Sequence, residues 1–356
     1  MDNIIAALEH NDRVCLIKLY FYKSSQMRYV TNSAAMRKPF QDLTHLQLNT
    51  FEPGPLLPDS FLGGTAPSLR SLDLFNVPFP GLPKLLLSAT HLVELHLLNI
   101  SPTGYIPPEA MATGLSALNN LESLRLHFRN PRPRPAPESR RPPPMIRPIL
   151  PSLTEIRFKG TSEYLEEILA RIDAPRLNGL KITFFNQLIF DTPQLLQFIS
   201  PRPTLRAPEK CHITFCSKAT IAKFPSQTSN DAVLSAEIRC MASEWQLSSP
   251  EQVCTSSLPP VSTLEDLYIV EERHWRPRWQ DDVESPVWLD LFAFVCCCKE
   301  SLFVEGICAP YCAPPCKNLS GDERQKFCPP WGVFSWRVFS RWDPSMRTYK
   351  VRYPFH

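Results

Sequence analysis

Apolar residues return along this chain in a short phrase: one apolar position, two variable ones, a second apolar, one variable, a third apolar. Clear copies are Leu43, Leu46, Leu48; Leu69, Leu72, Leu74; Leu92, Leu95, Leu97; Leu121, Leu124, Leu126; Leu153, Ile156, Phe158; Leu177, Leu180, Ile182; and Leu264, Leu267, Ile269. Val14, Ile17, Leu19 is a fainter first copy. Counted from it, the phrases start 29, 26, 23, 29, 32 and 24 residues apart, and the last gap of 87 has room for three weaker repeats. Self-similarity at such a period is the mark of a repeat architecture.

The phrase predicts a short strand. Side chains alternate along a strand, so the second and third apolar residues of each phrase share one face and the residue between them takes the other. One such strand buries too little to stand alone. Stacked copies give a parallel sheet with a continuous apolar interior, and the predicted class is α/β, a leucine-rich-repeat solenoid with helices and turns opposite the sheet. An ordinary α/β domain, in which the phrase recurs by chance in a leucine-rich chain, is the alternative.

Between phrases, Thr161-Ser162 can cap a helix carrying Tyr164, Leu165, Ile168, Leu169 and Ile172 at helical spacing. Thr192-Pro193 opens another, with Leu195, Leu196 and Ile199 on one face. Pro precedes the phrases at 69, 153 and 177, where it ends a helix or turn and sets the start of the strand. Asn76 and Asn99 stand two places after the last apolar residue of their phrases. Between 183 and 263 the phrase blurs, and CHITF (211–215) and SAEIRC (235–240) are the expected hidden strands.

Composition narrows the functional classes. The chain has 356 residues, 43% of them apolar, which is too apolar for disorder. The formal charge of +3 and a pI near 8.2 fall short of a nucleic-acid-binding signature, so no nucleic acid is expected. No apolar run reaches the roughly 18 residues a membrane span needs, and MDNIIAALEHNDRV lacks the basic start of a signal peptide. No membrane partner is expected, and the expected location is cytoplasmic or nuclear.

Catalytic chemistry finds no motif. There is no G-x-S-x-G, no phosphate-cradling glycine loop and no H-E-x-x-H, and only 11 glycines against 38 prolines. The expectation is a non-enzyme with no cofactor. Residues 129–151, RNPRPRPAPESRRPPPMIRPILP, read as a polyproline-like loop between repeats. In EERHWRPRWQDD (271–282), Trp275 and Trp279 stand among Arg276, Arg278 and His274. That is the composition of a binding hot spot, and equally that of a cap on the end of a solenoid core.

Composition changes at about residue 295. Seven of the twelve cysteines (Cys296, Cys297, Cys298, Cys308, Cys312, Cys316, Cys328) fall within 33 positions. As a zinc site they are poorly spaced, since no C-x₂-C occurs and Pro310, Pro314 and Pro315 break any aligning helix. A slipped reading frame accounts for the change better. Read one base later, codons for 299–312 permit KNLYLSKEFAPHIA, and two bases later Cys316 to Phe339 permits QELVGGRTTEVLPALGGVFLEGF. The last string contains LPALGGVFL, the form of LPSLTEIRF at 150–158. The expected organisation is therefore a repeat array over 1–295 and a frame-shifted, poorly folded tail over 296–356. The metal-binding alternative would use the tail cysteines.

The segments YVTNSAAMRKPFQDLTHLQL, LPDSFLGGTAPSLRSLDL, PFPGLPKLLLSATHLVELHL and EYLEEILARIDAPRLNGLKITFFNQLIFDTPQLLQFI resemble the F-box and leucine-rich-repeat-like proteins of mushroom-forming fungi. The resemblance spans residues 1–292. It implies a substrate-recognition scaffold of a ubiquitin ligase that holds an unknown target protein. A Skp-type adaptor is implied only if an F-box lies upstream of this chain. Binding is expected at strand positions that alternate away from the core, Gln47, Asp73, His96, Arg125, Arg157, Lys181 and Tyr268, with Trp275 and Trp279 beside them.

Overall fold

A computed structural model describes residues 1–130, 147–185, 192–206, 210–216, 219–225, 232–239, 266–271, 301–305, 334–340 and 343–351. The chain forms two compact units, Met1–Leu180 and Lys181–His356. It is α/β, with mostly parallel strands in open sheet and helices between them.

The first unit follows the apolar phrase step by step. Its strands are β1 (Leu16–Phe21), β2 (His45–Thr50), β3 (Ser71–Phe75), β4 (Glu94–Ile100), β5 (Ser123–Phe128) and β6 (Glu155–Gly160), paired parallel in that order. β7 (Gly179–Phe184) begins at the end of this unit. The register is set by the phrase: Leu46 lies opposite Leu72, Leu72 opposite Leu95, Leu95 opposite Leu124, and Leu124 opposite Ile156. A slip of one residue would turn each leucine to water, which fixes that register. These residues and their partners two places on are buried, each such leucine stabilising by roughly 1.5–3 kcal/mol. The first apolar residue of each phrase, such as Leu69, Leu92 or Leu121, precedes its strand and is fully buried.

A relay of backbone bonds joins successive strands at their starts. Cys15 O accepts the amides of Thr44 and His45, and Thr44 O those of Arg70 and Ser71. Arg70 O accepts Val93 and Glu94, Val93 O accepts Glu122 and Ser123, Glu122 O accepts Thr154 and Glu155, and Thr154 O accepts Asn178 and Gly179. At the far ends, Asn76 and Asn99 adopt left-handed backbone at φ 60° and 58°, a region that asparagine tolerates better than most residues. The Asn76 amide nitrogen donates to the carbonyls of Glu52 (2.8 Å), Thr50 (3.3 Å) and Phe51 (3.4 Å).

Helices return the chain between strands. They are α1 (Asp2–Leu8), α2 (Ser24–Thr31), α3 (Leu82–Leu86), α4 (Pro108–Leu115) and α5 (Ser162–Leu169). α3 packs on α4 and α4 on α5. The latter contact is tied by Arg171, only 5% exposed, which reaches Glu167 at 2.7 Å and Glu109 at 3.7 Å. α5 matches its expectation, with Thr161 at its N-cap and Tyr164, Leu165, Ile168, Leu169 and Ile172 all buried. The Thr161 hydroxyl makes no capping bond. The end of the proline-rich loop is packed rather than loose: Leu150 is fully buried and its amide donates to Asp173 O at 2.7 Å. Residues 131–146 of that loop lie outside the described residues.

The second unit departs from an all-parallel pattern. It holds α6 (Pro193–Ile199), α7 (Pro203–Arg206), β8 (Lys210–Cys216), β9 (Ala219–Pro225), β10 (Ala232–Arg239), β11 (Asp266–Glu271), β12 (Ser301–Glu305), β13 (Phe334–Ser340) and β14 (Asp343–Val351). CHITF lies on β8 and residues 235–239 of SAEIRC on β10, Cys240 lying outside the described residues, but between them runs β9, and all three pair antiparallel. Only two residues separate β8 from β9, too few for the crossover that parallel pairing needs. β11 pairs parallel with β8 and β12, and β12 parallel with β13, whereas β13 and β14 are antiparallel. On α6 it is Phe198, not Leu196, that joins Leu195 and Ile199 in the interior. Among the described residues no helix is long and apolar enough to cross a membrane.

Candidate functional site

The face of the first unit's sheet turned away from the leucines carries three rows of side chains, set by the same register. The central row runs Lys18, Gln47, Asp73, His96, Arg125, Arg157 from β1 to β6, each residue opposite the next. Five of the expected binding residues are therefore neighbours in one line, although about 110 positions separate the first from the last in the chain. Gln47 to Arg157 are half-buried rather than exposed, with His96 at 12% and Arg125 at 31%. The reason is lateral packing: strands about 4.8 Å apart press adjacent side chains together, so a polar row shields itself.

Row members pair along the line and with the row beneath. His96 Nδ1 is 3.9 Å from an Asp73 carboxylate oxygen, and His96 Nε2 is 3.3 Å from the Ser123 hydroxyl. Arg157 donates to Glu155 at 2.7 Å from Nε, and its NH2 group also stands 2.7 Å from that oxygen. Arg125 approaches the other oxygen of the same carboxylate at 3.6 Å. Asp73 Oδ1 and Arg125 Nε are shielded and have no hydrogen-bond partner.

The third row, two residues further along each strand, was not singled out by the sequence. It reads Tyr20, Asn49, Phe75, Leu98 across β1 to β4. The β4–β5 register then shifts, placing Leu98 and Asn99 together against His127, and His127 lies opposite Lys159. Tyr20 and Phe75 are 58% and 38% exposed, and beyond β1 and β2 the rings of Tyr22 and Phe51 stack at 5.3 Å. One end of the face is thus aromatic and the other cationic. Partial burial, followed by the charges of Lys159, Arg125, Arg157 and His96, pushes the His127 imidazole down to about 4. It is therefore neutral near pH 7. The signal for these residues was the same period of two that located the central row.

The other expected site residues belong to the second unit or fall outside the described residues. Lys181 is half-buried on β7. Tyr268 on β11 lies opposite His212 and Phe303, and its ring stacks on His212 at 4.5 Å and 12°. Trp275, Trp279 and the seven tail cysteines lie outside the described residues. Among those described, no grouping of His, Cys, Asp and Glu could hold a metal ion, and Cys15 is an exposed thiol.

No protein family, curated protein or solved structure matches the chain.

Proposed function

We propose that this chain is a non-catalytic protein-interaction scaffold, a leucine-rich-repeat solenoid of the kind that F-box ubiquitin-ligase receptors use to hold a target. The observation that carries the reading is the alignment of Gln47, Asp73, His96, Arg125 and Arg157 in one row on the face opposite the leucines. Regular strands with a buried phrase on one side leave the other side free to vary without loss of fold, and repeat proteins bind through such surfaces. The mixed charges and exposed aromatics of the face suit a protein target better than a membrane or a nucleic acid. The scaffold works in the cytoplasm or nucleus, and a Skp-type adaptor joins it only through an F-box upstream of this chain.

A photo-activated cross-linking residue at Gln47 tests this reading against one at Lys84, exposed on α3. Expected is a discrete, saturable adduct to one protein from position 47 and none from position 84. Adducts from position 84 alone, or from neither, overturn the assignment of the binding face.

A further inference from the structure

Resting on that reading, we infer that the face takes an extended peptide segment with an apolar anchor at one end and acidic or phosphorylated residues three to four positions away, the anchor on Phe75 and Leu98 and the acids on Arg125, Arg157 and Lys159. The chemistry of the rows is segregated by strand. β3 and β4 offer the Phe75 ring and Leu98 in adjacent register, whereas β5 and β6 bring three permanent cations onto the same face with one carboxylate, Glu155, among them. Arg125 and Arg157 share that single carboxylate, so the strand pair keeps a positive surplus after its internal pairing. The titration of His127 is depressed first by burial, and the charges of Lys159, Arg125 and Arg157 beside it act in the same direction.

Geometry gives the spacing. Neighbouring strands lie about 4.8 Å apart, so Leu98 on β4 and Phe75 on β3 stand roughly 10 and 14 Å from Lys159 on β6. An extended chain advances about 3.3 Å per residue, and three to four residues cover that distance. A uniformly charged polymer fits less well. Toward β3 and β4 the face turns acidic at Asp73 and Glu94, and phosphates there would meet like charge.

The probe is a fluorescein-labelled decapeptide, Gly-Ser-Trp-Gly-Ser-Glu-Glu-Gly-Ser-Gly, with its acids three and four positions from the Trp, followed by anisotropy with the full chain. Three controls accompany it: the same peptide with Gln for Glu, one with Trp placed next to the acids, and a labelled ten-nucleotide thymidine strand. Expected is saturable binding of the first peptide, weakened at least tenfold by each peptide control and at least tenfold by R157Q or by R125E with R157E. Circular dichroism establishes that these variants are folded, and the peptide controls leave the protein untouched. Equal affinity for the Gln peptide, indifference to spacing, tighter binding of the thymidine strand, or no binding of any peptide overturns the inference. The cross-linking result at Gln47 stands apart from all four outcomes, so failure here is separable from failure of the scaffold reading.

Discussion

Replacing Asn76 with alanine removes two supports at once, and the structure allows them to be separated. The residue sits at φ 60° and is 2% exposed, and its amide group bridges three carbonyls of the preceding turn. Of those bonds only the one to Glu52 is short, at 2.8 Å, and the same carbonyl also accepts the Thr50 hydroxyl at 2.9 Å. Their loss therefore leaves Glu52 O satisfied, and the three together are worth about 1–2 kcal/mol. Left-handed backbone adds roughly 1–2 kcal/mol for alanine and nothing steric for glycine, although glycine destabilises by about 0.5 kcal/mol through the freedom it gains when unfolded. Asn76→Ala should then lower local stability by about 3 kcal/mol and Asn76→Gly by about 2 kcal/mol. All seven tryptophans lie beyond residue 240, so none reports from within this segment. Amide hydrogen exchange of peptides covering residues 45–52 and 71–78 is the direct readout. Exchange should quicken roughly 150-fold for alanine and 30-fold for glycine, at about 1.4 kcal/mol per factor of ten. Equal effects of the two would refute the backbone argument, and changes below threefold in both would refute the bridging role.

Two further outcomes follow from β5 and β6. A β-carbon added at Gly160 would stand 2.6 Å from the Phe158 ring and 3.0 Å from Phe128, so Gly160→Ala should lower stability by roughly 1–3 kcal/mol, read as an earlier loss of far-ultraviolet dichroism on heating. His127 binds its proton more weakly folded, at about 4, than unfolded, at about 6.5, so the unfolded chain takes up more protons between these values. Its contribution to stability is full above pH 6.5 and lost as pH falls toward 4. In nuclear magnetic resonance its ring should stay unshifted from pH 8 to 5.5, and Lys159→Met should raise its titration point.

The strands β1 to β7 were legible because each phrase commits two apolar residues to one face, and only one register buries all of them. The order of the strands followed from the order of the phrases. β9 was not legible: its buried residues Thr220, Ala222 and Phe224 alternate correctly but are not leucines, and its antiparallel direction depends on the two-residue turn before it. The central row of the outer face came from the same period of two, whereas its chemistry did not. That Arg125 and Arg157 share Glu155 depends on β5 and β6 lying side by side, across roughly 30 residues of intervening chain. The inward Leu150 was hidden within a proline-rich stretch whose composition says nothing of a single residue's burial.

The relay of carbonyls at the strand starts makes every joint in the first unit alike. If residues 70–92 were removed, Leu69 would be followed by Val93, Glu94, Leu95, His96 and Leu97, which restores the phrase letter for letter in its apolar positions. Thr44 O, which now holds the amides of Arg70 and Ser71, would meet those of Val93 and Glu94 in the same places, and Asn99 would succeed Asn76. Such a chain changes length in whole rungs, each removal erasing one rung of the outer face and sparing the rest. A shortened variant would thus bring Gln47 directly against His96, rewriting the order of chemistry across the outer face while keeping every joint that holds the ladder together.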